Sequence, residues 1–312
     1  MIRNIPEVTI IMATYNRAHF ILETLKSIQK QSFQNWNCLI IDDGGSDNTF
    51  DVIEPILNAD TRLKYQQRPK NYNKGLPGCR NYGLDIATGE YILFFDDDDI
   101  AHPELLAISH SELSKGEFDF SRFKRETFQG EFFYNFDNNA NITREYLGVE
   151  KIEKVVLNEI PFNSCQILWN RRCFENKRFK EYLMYAEEWE LYSRILSDNS
   201  KGVLINKILM YGRKHANSNT GEYMSGNQIR IQSHIEAYIL VFKNLVTKDL
   251  ITQNLLKHFL QMSFYFRSTR MIKLVLKKSN YSSTRKQLYR AGFYFYPLIR
   301  PLFIIKGKII DA

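Results

Sequence analysis

Tyr91-Ile92-Leu93-Phe94-Phe95-Asp96-Asp97-Asp98-Asp99 is a run of five apolar residues that ends in four consecutive carboxylates. Five apolar positions without alternation read as a strand buried on both faces, the pattern of a parallel sheet. Similar runs precede it, separated by helical spacing. Val8-Thr9-Ile10-Ile11-Met12-Ala13 is the first, and over 19–31 Phe20, Ile21, Leu25 and Ile28 follow at helical intervals. Cys38-Leu39-Ile40-Ile41 is the second, ending at Asp42-Asp43-Gly44-Gly45, with Ser46 or Asp47 placed to cap a helix over 49–57. Leu63-Lys64-Tyr65-Gln66 is the third, before a helix over 78–87 stopped by Thr88-Gly89. This alternation predicts an α/β domain with a doubly wound, Rossmann-like parallel sheet and right-handed crossovers. Ligands of such sheets sit beyond the carboxyl ends of the strands. Three polar clusters lie at those ends and are expected to converge: Thr14-Tyr15-Asn16-Arg17, Asp42-Asp43 and Asp96 to Asp99.

The stretch 118–211 is mixed, with short strands and a helix expected near 187–196. Beyond Asn227 strand signals give way to helical periodicity, as in Leu255, Leu256, Phe259, Leu260 and Phe264. Gly and Ser recur at 221–226, flanked by Asn219 and Asn227, which places the domain boundary there: a catalytic domain at 1–222 and a helical region at 223–312. The 312 residues are 44% apolar and 25% charged, the balance of a globular core. No apolar stretch approaches the roughly 18–20 residues needed to span a bilayer. The N-terminus has no apolar signal core before Val8, so a cytoplasmic protein is expected. Four cysteines (Cys38, Cys79, Cys165, Cys173) show no zinc spacing and read as free thiols. The net charge of +7 is concentrated at the C-terminus: 265–312 holds 11 Lys/Arg and one acid, and the rest is near neutral.

Four aspartates at a strand end repel one another unless a cation neutralises them. A hard divalent ion, Mn²⁺ or Mg²⁺, does so through oxygen ligands and also binds substrate phosphates. The alternative is a solvated acidic loop that caps the next helix.

Six blocks together are similar to the family 2 glycosyltransferases, inverting enzymes of GT-A fold. They are Val8 to Arg17, Ile41-Asp42-Asp43-Gly44-Gly45-Ser46-Asp47-Asn48-Thr49, Gly78-Cys79-Arg80-Asn81-Tyr82-Gly83-Leu84, and Ala87 to Asp99. Ala186-Glu187-Glu188-Trp189-Glu190-Leu191 resembles the family's acidic E-D segment, and Tyr211-Gly212-Arg213-Lys214-His215 its R-x-H element. The similarity covers about 7–219, in the family's order and spacing.

The resemblance implies a role for each block. Thr14, Tyr15 and Asn16 contact the donor, Tyr15 by stacking on its base, and Asp43 accepts the base imide N–H while Asp42 is structural. Arg80 faces a phosphate or the acidic cluster. Asp96-x-Asp98 forms the D-x-D that binds the metal and the donor ribose, with Asp96 and Asp97 on the donor, Asp98 the first metal ligand, Asp96 next and His215 at the metal or pyrophosphate. Inversion requires a base for the acceptor hydroxyl. The family places an aspartate second in its E-D segment, so the base maps to Glu188, with Glu187 beside it. Glutamate is one methylene longer, a displacement of roughly 1–1.5 Å. Three acids there also suit a solvated helix start.

The implied reaction is transfer from a nucleotide sugar, a UDP-sugar, to a glycan or lipid-linked acceptor in surface-polysaccharide synthesis. Two alternatives stand: a nucleotidyltransferase, which would carry a Gly-rich phosphate loop where Thr14 to Arg17 lie, and a catalytically silent glycan-binding or scaffold protein. At the C-terminus Tyr289 to Ile305 is aromatic and apolar and is followed by Lys306 and Lys308. Such a segment suits the interface of an anionic membrane, on the inner face of the cell membrane. Alternatively its helices pack back on the protein with a basic outer face. No nucleic-acid fold is matched.

Overall fold

The computed structural model of the protein describes residues 6–138, 141–215 and 218–295. The elements run β1 (Val8–Thr14), α1 (Ile21–Gln29), β2 (Trp36–Asp42), α2 (Thr49–Ala59), β3 (Leu63–Gln67), α3 (Leu76–Ile86), β4 (Tyr91–Asp96) and β5 (Ile100–Ala101). They continue with α4 (Leu105–Leu113), β6 (Phe120–Phe128), β7 (Arg144–Leu147), α5 (Ile152–Val156), β8 (Ile167–Asn170), α6 (Glu187–Leu196) and β9 (Gly202–Arg213). Helices α7 (Asn219–Met224), α8 (Gln228–Thr247), α9 (Gln253–Tyr265) and α10 (Thr269–Lys278) follow, and then a helix at 283–295.

The strands form one sheet in the order β3-β2-β1-β4-β8-β6-β9-β5, with β7 on β9. The first four are parallel, in the expected doubly wound arrangement. Beyond β4 the sheet becomes mixed, because β8 pairs antiparallel to both β4 and β6. The difference arises because strand direction across a gap of some 70 residues is set by tertiary pairing, to which local apolar patterning is blind. The core on one side of the sheet joins Ile10, Met12, Cys38 and Ile40 to Leu25, Ile28 and Leu105, all essentially buried. On the other side, Phe94 meets Phe174 and Phe179 edge to face, with centroids 5.6 and 5.2 Å apart.

Register fixes where the carboxyl ends lie: Thr14 is opposite Asp42, and Ala13 opposite Asp96. Asp43 N–H donates to Thr14 O at 2.9 Å, closing the gap between the first two clusters. Two compact units divide within α8, Met1–Ala237 and Tyr238–Ala312. In the second, Phe242 and Phe259 pack at 5.0 Å, and α10 buries Met271, Ile272, Val275 and Leu276. All four cysteines are free and buried.

Candidate active site

Asn16, the turn residue after β1, adopts a left-handed conformation at φ 54°. Its amide oxygen accepts the backbone N–H groups of Ser46 and Asp47 at 2.7 and 3.2 Å, tying the β1 loop to the β2 loop. A Cβ on Gly45 would lie 2.9 Å from that oxygen, so a larger residue there would displace the Asn16 side chain. Tyr15 stands 45% exposed beside these loops, with Lys74 Nζ 4.5 Å from its ring centroid, while Thr14 is buried.

Asp43 is buried, and its two oxygens have different partners. Arg68 Nε donates to one at 2.5 Å, and the backbone N–H of Gly75, at the start of α3, donates to the other at 2.9 Å. Gly75 sits at φ +124°, a conformation open to glycine and little else. Asp42 Oδ1 accepts the Gly45 N–H at 3.0 Å, consistent with the structural part expected of it.

At the end of β4 each aspartate has a different partner. Asp96 faces Arg80 at 3.2 Å and Asp97 faces Arg17 at 3.3 Å. Asp98 Oδ2 lies 2.6 Å from His215 Nε2. Asp99 Oδ1 accepts the Arg213 N–H at 2.9 Å. Burial, reinforced by Asp98, pushes Asp97 up to about 7 against the pull of Arg17. Burial and the Asp96 charge also push up Asp98 and Asp99. Asp99 Oδ2 is buried with no hydrogen-bond partner. Ligand atoms of Asp96, Asp99 and Cys165 lie within 4.8 Å of one another. The cluster is thus under-neutralised by its own arginines. Its carboxylates suit a hard divalent cation, whereas the Cys165 thiol, pushed up by burial, does not, and the group shares only Asp96 with the expected ligands Asp98, Asp96 and His215.

Arg80 is 2% exposed and joins this cluster to the acidic helix start. Its guanidinium donates to Asp96 Oδ1 and Glu187 Oε1, both at 3.2 Å, and to Ser164 Oγ at 3.0 Å. Glu187 is 3% exposed, and burial together with Glu188 pushes it up to about 8, against Arg80. Glu190 is also buried and takes both its bonds from Arg194, at 2.7 and 3.0 Å. The first turn of α6 is therefore no solvated acidic surface. Glu187 and Glu190 are internal and paired, and Glu188 is half-exposed.

Several participants were not singled out in the sequence. Arg68 follows β3 without any motif, and Ser164 lies in a short turn before β8. Arg213, inside the R-x-H element, bonds Asp98 O at 3.0 Å, Glu23 Oε2 at 2.5 Å and Gly130 O at 2.6 Å, fastening the acidic turn to α1 and the 130 loop. Only the Arg213 position carried a sequence signal, through its place two residues before His215.

Comparison with known proteins identifies the family and the fold. The chain is 31% identical over 195 residues to the UDP-Glc:alpha-D-GlcNAc-diphosphoundecaprenol beta-1,3-glucosyltransferase WfgD of Escherichia coli, covering 62% of this chain and 71% of that one. It is 29% identical over 203 residues to the GalNAc(5)-diNAcBac-PP-undecaprenol beta-1,3-glucosyltransferase of Campylobacter jejuni. There the match covers 62% of this chain and spans 61% of the relative's length. Among solved structures, S. aureus TarS 1–349 with UDP-GlcNAc superposes with a TM-score of 0.67 at 18% identity, covering 94% of this chain and 92% of that one. The mannosyltransferase PcManGT of Pyrobaculum calidifontis, with GDP-Man and Mn²⁺, gives 0.58 at 15%, covering 98% and 85%. These two establish the GT-A fold. The family model for glycosyl transferase family 2 matches residues 9–179, more than half of the chain, which removes the nucleotidyltransferase alternative; the chain belongs to that family.

Proposed function

We propose that this glycosyltransferase moves a sugar from a UDP-sugar to a hydroxyl of a lipid-linked glycan, with inversion, in the synthesis of a surface polysaccharide. The acceptor class follows from the two relatives, whose names specify undecaprenyl diphosphate-linked acceptors. The observation that carries the chemistry is the contrast within α6: Glu187 is locked on Arg80, and Glu188 beside it is half-exposed.

Glu188 is the base. It takes the proton of the acceptor hydroxyl as that oxygen bonds to the anomeric carbon and the bond to the diphosphate oxygen breaks. Arg80 and Glu187 hold the first turn of α6 against β4, so the base keeps a fixed position relative to the donor. Tyr15 and Asp43 receive the donor base, the Thr14–Asn16 turn lines the same edge, and Arg68 holds the Asp43 carboxylate in place. Asp98, Asp96 and His215 would hold a divalent cation, with Asp97 kept on Arg17 behind them. Bound there, the cation would supply charge stabilisation for the departing nucleoside diphosphate.

Glu188→Gln keeps the volume and removes the base. Its UDP affinity by calorimetry should match wild type while turnover falls at least about 10²-fold, the usual contribution of a general base. Undiminished turnover would assign the proton to another group, and donor turnover absent even in wild type with Mn²⁺ would favour the silent scaffold. Asp98→Ala, in contrast, should weaken UDP binding in Mn²⁺ at least tenfold, as chelation should in wild type.

A further inference from the structure

We propose that the groove between Tyr182–Leu183 and the first turns of α8 is a subsite for sugars of the acceptor glycan, lying upstream of the hydroxyl that is glycosylated. This deepens the function proposed above and rests on it. The groove is shallow and open to solvent, with a volume of about 500 Å³. Tyr182 and Leu183 line one side, and Gln228, Gln232 and Glu236 line the other with Ile229. The three polar residues recur every four positions, so they form one stripe along a helix. Tyr182 is 56% exposed.

The chemistry of these walls selects the occupant. An exposed aromatic ring offers a flat apolar face to the C–H groups of a pyranose. Glutamine side chains both donate and accept, which matches the vicinal hydroxyls of a sugar, and a carboxylate accepts two more hydrogen bonds. The lining includes one carboxylate and neither lysine nor arginine. A phosphate, a nucleotide or an acidic lipid headgroup would be repelled there, whereas a neutral, hydroxyl-rich chain would not. The donor's charged groups have their own arginines at the ends of the strands, Arg17, Arg68 and Arg80.

The segment that lines the groove also carries the base, and it is fastened to α8. Met184 N–H donates to Ser233 Oγ at 2.8 Å, and Arg230 donates to Met184 O. Tyr185 stacks on Tyr223 with centroids 4.3 Å apart and planes 1° from parallel. Its ring also meets His234 edge-on at 5.2 Å, and Trp189 meets the same histidine at 6.5 Å. Residues 182–189, which carry Glu188, are thereby fastened to the helix that forms the opposite wall. Tyr182 and Glu188 lie six residues apart on that segment, which ties a glycan seated on Tyr182 to the neighbourhood of the base.

The test uses the full chain with UDP and Mn²⁺ and a panel of neutral oligosaccharides of two to five hexose or N-acetylhexosamine units. Saturation-transfer NMR reads sugar binding, and calorimetry reads UDP binding on the same samples. At least one oligosaccharide is expected to receive saturation. The signal should fall at least fivefold in Tyr182→Ala and in Gln232→Ala, survive in Tyr182→Phe, and leave UDP affinity unchanged throughout. Both altered positions are exposed, so loss of the fold does not mimic the effect. No saturation of any oligosaccharide, or saturation equal in wild type and both alanine variants, overturns the subsite. Loss of UDP binding in wild type would instead remove the donor reading on which the subsite depends.

Discussion

Arg80 and Glu187 lie 107 positions apart in the sequence, and each would be costly to bury alone. An unpaired charge away from water costs several kcal/mol, and the same loss appears when one partner of a buried pair is removed. Arg80 also serves Asp96, so its single charge is shared between two carboxylates while Glu188 adds a third acidic group nearby. Burial first, and the neighbouring Glu188 charge second, explain why Glu187 is pushed up to about 8 despite its ion pair. The sign follows directly: a carboxyl with a raised folded-state pKa binds its proton more tightly in the native state than in the unfolded one. Its contribution to stability is complete below the unfolded value, near 4.5, and is lost as pH rises towards 8. Wild type should therefore lose stability relative to Glu187→Gln between about pH 5 and pH 8, by roughly 1–4 kcal/mol at an energy of about 1.4 kcal/mol per unit. Urea denaturation of both proteins at a series of pH values measures this. A stability difference independent of pH would mean that Glu187 stays ionised throughout.

Helix α3 shows how an element's own sequence can be set by its neighbour. Gly83 lies in its middle, where alanine would gain about 1 kcal/mol in helix propensity. A Cβ there would sit 2.4 Å from Cγ2 of Ile11, a fully buried residue of β1. Overpacking in a core typically costs 1–3 kcal/mol, so the clash outweighs the propensity. Gly83→Ala should lower the melting temperature, with Asn81, which is bonded to Phe179, displaced along with the helix. A melting temperature equal to or above wild type would show that α3 can lift off β1. The same neighbour dependence limited what was readable in the sequence. β1, β2 and β4 were legible because continuous apolar runs specify strands buried on both faces. The antiparallel placement of β8 beside β4 was not, since a four-residue strand of Ile167–Asn170 carries no record of its partner. The carboxyl-end clusters were legible as sequence blocks and do converge. Arg80 was legible as a partner of the acidic cluster and does face Asp96, but its bond to Glu187 and the pairing of Arg68 with Asp43 were not, because neither pairing carries a local signal until the fold brings the residues together.

At the scale of the whole molecule the charge is uneven, and the C-terminal net of +10 over 265–312 is set against a single acid, Asp311, in that stretch. No helix among the described residues is long and apolar enough to cross a membrane. α10 turns Met271, Ile272, Val275 and Leu276 inwards and leaves Lys273, Lys277 and Lys278 exposed. The helix at 283–295 exposes Leu288 and Tyr294, each at 68%, and Phe295 at 60%, beside Arg285 and Arg290. The rest of the aromatic segment, 296–305, and Lys306 and Lys308 lie outside the described residues. Exposed apolar and aromatic residues among basic ones are the pattern of a helix that lies in the interface of an anionic bilayer. Such a location would also bring the enzyme to a lipid-linked acceptor. Each basic group near an anionic surface contributes about 1 kcal/mol, so reversing three of them should remove well over tenfold in binding. Full-length protein is expected to sediment with liposomes containing acidic phospholipid and much less with neutral ones. High salt should release only part of it, because salt screens charge and leaves apolar insertion intact. A variant with Lys277→Glu, Lys278→Glu and Arg290→Glu should lose at least tenfold in liposome affinity yet bind UDP as wild type does. Equal sedimentation with acidic and neutral liposomes would make the basic surface a solvated outer face of the C-terminal helices.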